Sequence, residues 1–245
     1  MGRLFGVGVG PGDPDLLTRR AVNVLDAVEV VAHFAARHRP GNSLATIAPL
    51  LRPDHVVERL EYPITTEAVE PDQYQAALDR FYADSARRLS DHLDAGRDVA
   101  IVSEGDPLFY GSYMHLHVRL AHRYPTEVVP GVTAFSAACA AAGTPLVSSD
   151  ERLTVLAGTL PADELQRALA SGDAVVVMKL GRHLDKVTGA LRAAGRAEGA
   201  VYVERASFPE QRIARVDQVD GARAPYFSLV LVPGSRLTAS PPARP

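Results

Sequence analysis

Residues 99–111 read V-A-I-V-S-E-G-D-P-L-F-Y-G, an apolar run that turns through an acidic Gly-Asp-Pro step and two aromatics to a second glycine. A short, continuous apolar run closed by turn residues is the pattern of a strand buried on both faces, and such strands belong to parallel sheets. A loop of this make-up at the carboxyl end of a parallel strand is where α/β sheets bind ligands. Parallel strands need crossover helices, so the rest of the chain should alternate strand and helix.

It does. Leu4–Val9 is an apolar strand, after which Asp13 reads as an N-cap, with Pro14 at the first helical position and Leu16, Leu17, Ala21, Val24 and Leu25 on one helical face. Val28–Ala32 is a second strand. Residues 37–72 are less regular, punctuated by Pro40, Pro49, Pro53, Pro63 and Pro71. Gln73–Ala95 is a long amphipathic helix ended by Gly96, with Leu78, Phe81, Tyr82, Ala86, Leu89 and Leu93 at three- and four-residue steps. Strand Asp98–Ser103, helix Ser112–Ala121 and strand Thr126–Val129 follow. Pro130-Gly131 leads into an alanine-rich helix that stops at Gly143-Thr144-Pro145. Beyond it the pattern predicts strands over 153–157, 173–179, 200–204 and 226–232, and helices over 162–169 and 183–193. The fold class is α/β. The expected division is an N-terminal α/β domain over 1–131, a C-terminal α/β domain over 132–236, and a disordered tail over 237–245.

Charge and composition exclude several function classes. A formal net charge of -3 makes no electrostatic case for nucleic acid. Cys139 is the single cysteine, in the run S-A-A-C-A-A-A, and reads as a small buried helix residue rather than a nucleophile. No Cys/His cluster has metal-ligand spacing, so no metal is expected. No apolar run reaches the ~18 residues of a membrane span, and the glycines and proline of the first segment do not suit a signal peptide. A cytoplasmic protein is the expectation.

The glycine ladder G6-V-G-V-G-P-G-D-P-D-L-L-T18 invites a dinucleotide-binding reading, which its spacing rejects. The G-x-G-x-x-G fingerprint needs glycines at steps of two and three; here the sixth position is Pro11 counted from Gly6 and Asp13 counted from Gly8. Pro11 has no N–H to offer a phosphate, and no G-K-[ST] follows. The turn suits close approach of a ligand without a phosphate. A nicotinamide-dependent oxidoreductase would need the phosphate-binding turn that is missing.

Three segments taken together are far more specific: G-x-G-x-G-P-G-x-x-x-L-L-T (6–18), G-D-P-L-F-Y-G (105–111) and P-G-V-T-A-F-S-A (130–137). In this order and spacing the chain resembles the tetrapyrrole (corrin/porphyrin) methylase family, and the likeness runs on through V-V-V-M-K-L-G-R (175–182) and E-R-A-S-F-P-E-Q (204–211) to about Val232. The resemblance implies two α/β domains with an S-adenosylmethionine cleft between them, not a Rossmann methyltransferase, and a homodimer. Within the family, S-E-G-D-P-L-F-Y-G-S-Y-M-H (103–115), L-E-Y-P-I-T (60–65) and K-L-G-R-H-L-D-K-V (179–187) are most similar to the branch that methylates carbon-20 of precorrin-2 or of its cobalt-bearing counterpart. Glu104 stands where the sirohaem branch has the first glycine of a G-G-D loop.

By that resemblance the cofactor site takes Pro11, Glu104, Gly105, Asp106, Phe109, Thr133, Ala134, Met178 and Ala206. The residue chemistry agrees in kind. Asp106 can accept from the cofactor's ammonium or ribose, Gly105 and Gly111 allow close backbone approach, and Phe109 and Met178 offer soft apolar contacts. Methyl transfer from a sulfonium asks the protein to align donor and acceptor and exclude water. The ring carbon must also lose a proton, for which Glu104, Tyr110, His115 and His117 are unranked bases. The substrate carries many carboxylates, so Arg182, Arg205 and Arg212 are the expected ring-binding residues. A non-catalytic S-adenosylmethionine or tetrapyrrole carrier would keep the same loops and lack turnover.

Overall fold

The structure, a computed structural model, describes residues 1–37, 41–64, 70–221 and 224–238. Pro40, Thr65 of the 60–65 motif, and residues 239–245 of the expected tail lie outside them. Two compact units are present, Met1–Thr133 and the chain from Ala134 onward.

The first unit is built on five parallel strands: β1 (Leu4–Gly8), β2 (Val30–Ala35), β3 (Val56–Glu61), β4 (Val99–Ser103) and β5 (Thr126–Val129), in the order β3-β2-β4-β1-β5. Every residue of β1 and β4 is buried, as their unbroken apolar runs require. Helices α1 (Arg19–Ala27) and α2 (Asn42–Ile47) cover one face, where Ala21, Val24, Leu25 and Ile47 pack on Val7, Val31, Ala100 and Val102. Helices α3 (Pro71–Asp94) and α4 (Tyr113–Leu120) cover the other, where Leu89, Leu93, Tyr113, Leu116 and Leu120 pack on Leu4, Val99 and Ile101. Strands β1 and β4 are neighbours whose following helices, α1 and α4, lie on opposite faces. That is a topological switch point, the place where an open α/β sheet leaves a crevice at its carboxyl edge.

The sequence pattern and the structure differ at the first helix. Asp13 does cap, accepting from the Asp15 amide at 2.9 Å, but it caps a single 3-10 turn, Pro14–Leu16. Leu17 is extended, and α1 restarts under a second cap in which Thr18 Oγ1 accepts from the Ala21 amide at 3.1 Å. The irregular stretch 37–72 contains α2 and β3. Strand β3 is an edge strand with Leu60 as its only buried residue, so it carries no apolar run to announce it.

In the second unit, α5 (Ala134–Ala142), α6 (Ala162–Leu169), α7 (Leu184–Ala193) and the short α8 (Ser235–Thr238) accompany a mixed sheet. Its strands are β6 (Leu153–Ala157), β7 (Ala174–Met178), β8 (Val201–Glu204), β9 (Arg212–Arg215) and β10 (Ser228–Val232), ordered β6-β7-β10-β8-β9. Only β6 and β7 run parallel; β10 is antiparallel to β7 and β8, and β9 to β8. Strand β9, R-I-A-R, is another largely exposed edge that apolar patterning does not reveal. Cys139 sits on α5 half-buried rather than fully buried, and burial raises its thiol pKa, which keeps it protonated and unreactive. Among the described residues no helix is long and apolar enough to cross a membrane.

Gly6 shows how tightly the first sheet and α4 are fitted. A Cβ there would fall inside the fully buried Tyr113 ring, 2.6 Å from Cε2 and nearer still to Cζ. Overpacking of this kind costs about 1–3 kcal/mol. Gly6→Ala should lose that much stability in urea denaturation while Gly189→Ala, inside α7 with open space around it, should lose none; equal stability of Gly6→Ala and wild type would refute this packing account.

Candidate active site

The loops that leave β1, β4 and β5 are joined backbone to backbone at the switch point. Gly105 and Gly10 form an antiparallel bridge, with the Gly105 amide donating to the Gly10 carbonyl at 2.8 Å and the Gly10 amide returning at 3.3 Å. Gly8, Gly105 and Gly131 then meet with no room for side chains. A Cβ on Gly8 would lie 2.5 Å from the Gly131 nitrogen and 2.7 Å from the Gly105 carbonyl oxygen, and one on Gly131 would lie 2.9 Å from Gly8 Cα. Asp106 locks this contact. Its Oδ2 accepts from the Gly131 amide at 3.1 Å and its Oδ1 from the Leu108 amide at 2.9 Å. Both oxygens of the expected cofactor ligand thus already take one backbone N–H each, with one acceptor position left on each. Pro11 is buried in the turn beside them, and the Gly12 carbonyl accepts from Thr46 Oγ1 of α2 at 3.3 Å.

Glu104 faces α2. Its Oε1 accepts from the Ser43 amide at 3.2 Å, with the Asn42 amide also bonding the carboxylate. Helix α2 begins at Gly41, which has no side chain to cap it. Glu104 therefore caps α2 from another loop, where a carboxylate also meets the positive end of the helix. Burial pushes its carboxyl up to about 7, outweighing the two backbone bonds that favour the charged form. That is well above the ordinary carboxylate range and close to neutral pH.

Sequence reasoning missed two neighbours. His33, 2% exposed on β2, has no hydrogen-bond partner for Nδ1 among the described residues, and Ser103 Oγ, 5% exposed at the end of β4, has none either. Burial lowers the His33 pKa, with the nearby Phe34 backbone opposing the shift. The signal was present as one polar residue inside the apolar strand V-V-A-H-F-A.

The remaining base candidates divide. Tyr110 is exposed and packs edge-on to Phe109 with ring centroids 5.0 Å apart, next to exposed Leu108. His115 and His117 are on α4, which covers the face opposite α2. His115 stacks on Tyr82 at 4.3 Å, and His117 Nδ1 is 3.0 Å from the Tyr113 hydroxyl, whose pKa burial pushes up to about 12. The structure brings Glu104, Gly105 and Asp106 together with Pro11 and places the two histidines with α3 and the Gly6-facing tyrosine instead.

The second unit holds the other predicted residues at strand ends. Met178 is half-buried at the end of β7, its carbonyl accepting from the Gly158 amide at 2.7 Å; Ala206 is 8% exposed just beyond β8. Arg182, Arg205 and Arg212 are exposed, in the turn after β7, the turn after β8 and the first position of β9. Thr133 ends the first unit and Ala134 opens α5, both half-buried. Among the described residues, five that are not glycine have φ in the left-handed region, and four of them are Tyr110 (+55°), Lys179 (+56°), Arg205 (+48°) and Ser207 (+68°). Such strain concentrates at functional sites, and these four fall within or beside the loops that sequence assigned to the cofactor and ring.

Comparison with known proteins gives consistent matches. The model of the Tetrapyrrole (Corrin/Porphyrin) Methylases matches residues 3–219. A Sinorhizobium protein named precorrin-2 C(20)-methyltransferase is 52% identical over 96% of this chain and 96% of its own length. The cobalamin biosynthesis protein CobIJ of Mycobacterium tuberculosis is also 52% identical, over 97% of this chain but 47% of its own length, so the chain spans about half of that relative. Among solved structures, uroporphyrin-III C-methyl transferase from Thermus thermophilus, complexed with S-adenosyl homocysteine, aligns with a TM-score of 0.65 and 26% identity, covering 95% of this chain and 92% of that one.

The Glu104 environment sets a pH dependence of stability. The folded state holds this proton more tightly than the unfolded chain does, so between the ordinary carboxylate range and pH 7 stability falls as pH rises. Glu104→Gln keeps an acceptor for Ser43 and removes the buried charge. It should be more stable than wild type by roughly 2 kcal/mol at pH 8 and should converge with it near pH 4 in urea titrations. A stability difference that does not change with pH would contradict this assignment.

Proposed function

This chain belongs to the tetrapyrrole (corrin/porphyrin) methylases, and from that premise we propose that it is an S-adenosylmethionine-dependent methyltransferase acting on carbon-20 of precorrin-2 in corrin-ring biosynthesis. The observation that carries the reading is the end-to-end match to the Sinorhizobium protein of that name, 52% identical over 96% of both chains. The switch point of the first unit supports it, because the glycine turn and the acidic loop converge there. The family resemblance further supports a homodimer, and the cytoplasm is its proposed location.

The residues fit S-adenosylmethionine. Among the described residues Ser103 Oγ and His33 Nδ1 are buried polar atoms without hydrogen-bond partners, and Leu108 and Tyr110 expose apolar surface on the acidic loop. The group supplies, when bound, a methyl on a positively charged sulfur. Pro11, Glu104, Gly105, Asp106 and Phe109 of the first unit and Thr133, Ala134, Met178 and Ala206 are the proposed binding residues. Asp106 acts chiefly as a positioning residue, since its carboxylate holds Gly131 against Gly8. Apolar surface around Phe109 excludes water from the transfer. Glu104 is the proposed acceptor of the proton that the ring carbon releases: its carboxyl, pushed up to about 7, takes and returns a proton at neutral pH. Arg182, Arg205 and Arg212 are proposed to pair with ring carboxylates.

Two measurements test the reading. Purified protein incubated with labelled S-adenosylmethionine and either metal-free precorrin-2 or its cobalt form should add one methyl, at carbon-20, to the metal-free ring, as read by mass and NMR spectra. Labelling of the cobalt form alone would assign the cobalt-dependent reaction, a methyl elsewhere another ring position, and cofactor binding without transfer a carrier. Asp106→Ala should weaken S-adenosylmethionine binding by about tenfold or more in calorimetry, the loss of a hydrogen-bonded charge, without unfolding the chain. Wild-type affinity would mean that Asp106 does not position the site.

A further inference from the structure

One end of the second unit's sheet carries a feature that the motifs did not flag. Tyr226 and Phe227, just before β10, are 59% and 42% exposed and pack edge-to-face with ring centroids 5.3 Å apart. Because β10 runs antiparallel to β7 and β8, its start lies where those two strands end. The link is direct on both sides. The Arg205 amide donates to the Phe227 carbonyl at 2.8 Å, which extends the β8–β10 ladder one step past the Ser228–Glu204 pair. On the β7 side, a Cβ on Gly181 would lie 3.9 Å from Tyr226 Cα, beside Arg182. Strand β9 starts at the same end, with Arg212 opposite Glu204. The segment that carries the two exposed rings therefore lies between the turn that carries Arg182 and the strand ends that carry Arg205 and Arg212, beside backbone held in left-handed conformations at Lys179, Arg205 and Ser207.

Exposed large apolar residues are ordinary one at a time. Paired rings flanked by guanidiniums are the composition of a recognition surface, because aromatics and arginine supply contact area and directed charge with little loss of freedom. Charge complementarity selects the occupant. A tetrapyrrole macrocycle offers an apolar face to the rings, and carboxylates around its rim offer bidentate partners to the arginines. Glu204 accepts a hydrogen bond from the Tyr202 hydroxyl at 2.9 Å, and three guanidiniums at this edge face two carboxylates, Glu204 and the exposed Glu210.

We propose that Tyr226 and Phe227 form the platform on which the macrocyclic substrate docks, with Arg182, Arg205 and Arg212 gripping its rim carboxylates. This inference rests on the methyltransferase reading for its substrate class and adds the residues that recognise the ring face. The aromatics bind and orient; they take no part in proton or methyl transfer.

Uroporphyrin III, a stable polycarboxylate porphyrin, probes the platform without turnover. The full-length double variant Tyr226→Ala/Phe227→Ala should bind it about tenfold or more weakly, followed by the shift of its main absorption band. S-adenosylmethionine affinity by calorimetry should be unchanged, and with the true substrate KM should rise while kcat at saturation holds. Phe227→Leu should recover part of the loss, and Val118→Ala, at an exposed position on α4, should bind the porphyrin as wild type does. Wild-type porphyrin affinity in the double variant overturns the proposal, as does a parallel fall in cofactor affinity. A double variant that loses self-association in sedimentation while keeping porphyrin affinity overturns it too, by making the pair a contact between copies of this chain. Porphyrin binding that depends on the pair, in a protein that transfers no methyl, leaves the platform standing and removes the methyltransferase reading instead.

Discussion

The close approach of Gly8, Gly105 and Gly131 is the constraint on which the first unit's site depends. Three loops from three adjacent parallel strands can converge at a switch point only if their backbones touch, and that demands glycine at each contact. The Asp106 carboxylate then turns proximity into a fixed arrangement by accepting from Gly131 and from Leu108. The Gly10–Gly105 bridge adds a sheet-like rung beyond the end of the sheet. Amides used in these contacts are unavailable to a phosphate, which is the structural counterpart of a glycine ladder that fails the dinucleotide spacing.

A second arrangement follows from placing a carboxylate where water is largely excluded. Glu104 caps α2 and ties it to the end of β4, while Thr46 ties the same helix to Gly12. One short helix thus links the loops of β1 and β4. The cap favours the charged carboxylate, burial disfavours it, and burial wins. The outcome is a group whose proton affinity suits exchange at neutral pH, set beside buried polar atoms of His33 and Ser103. In the second unit, antiparallel insertion of β10 between β7 and β8 gathers the turns after β7 and β8 and the starts of β9 and β10 at one end. Residues far apart in sequence, Arg182, Arg205, Arg212 and Tyr226, become one edge through that topology alone.

Much of this was legible in the chain. The parallel strands β1 and β4 follow from apolar runs, β5 from a short β-branched segment between Pro125 and Pro130, and α3 from its three- and four-residue periodicity. The strands that patterning missed, β3 and β9, are edges with few buried positions, so nothing forces their side chains to alternate. The first helix was read as one because its apolar face continues through Leu17, whereas Thr18 competes as a cap and wins by bonding the Ala21 amide. His33 passed unnoticed because the expected strand stopped at Ala32, one residue before it, whereas β2 runs on to Ala35.

By itself, then, the sequence determined the α/β class and the family, because these depend on local periodicity and on the order of short motifs. Tertiary structure alone decided which groups the motif loops meet. Asp106 meets Gly131 across 25 residues and Glu104 meets Ser43 across 61, and both pairings exist only once the strands are ordered. The proton affinity of Glu104 is a property of the atoms that surround it rather than of its place in the motif. Hydrogen-bond partners and solvent exclusion are set by which segments pack together, and no local pattern encodes them.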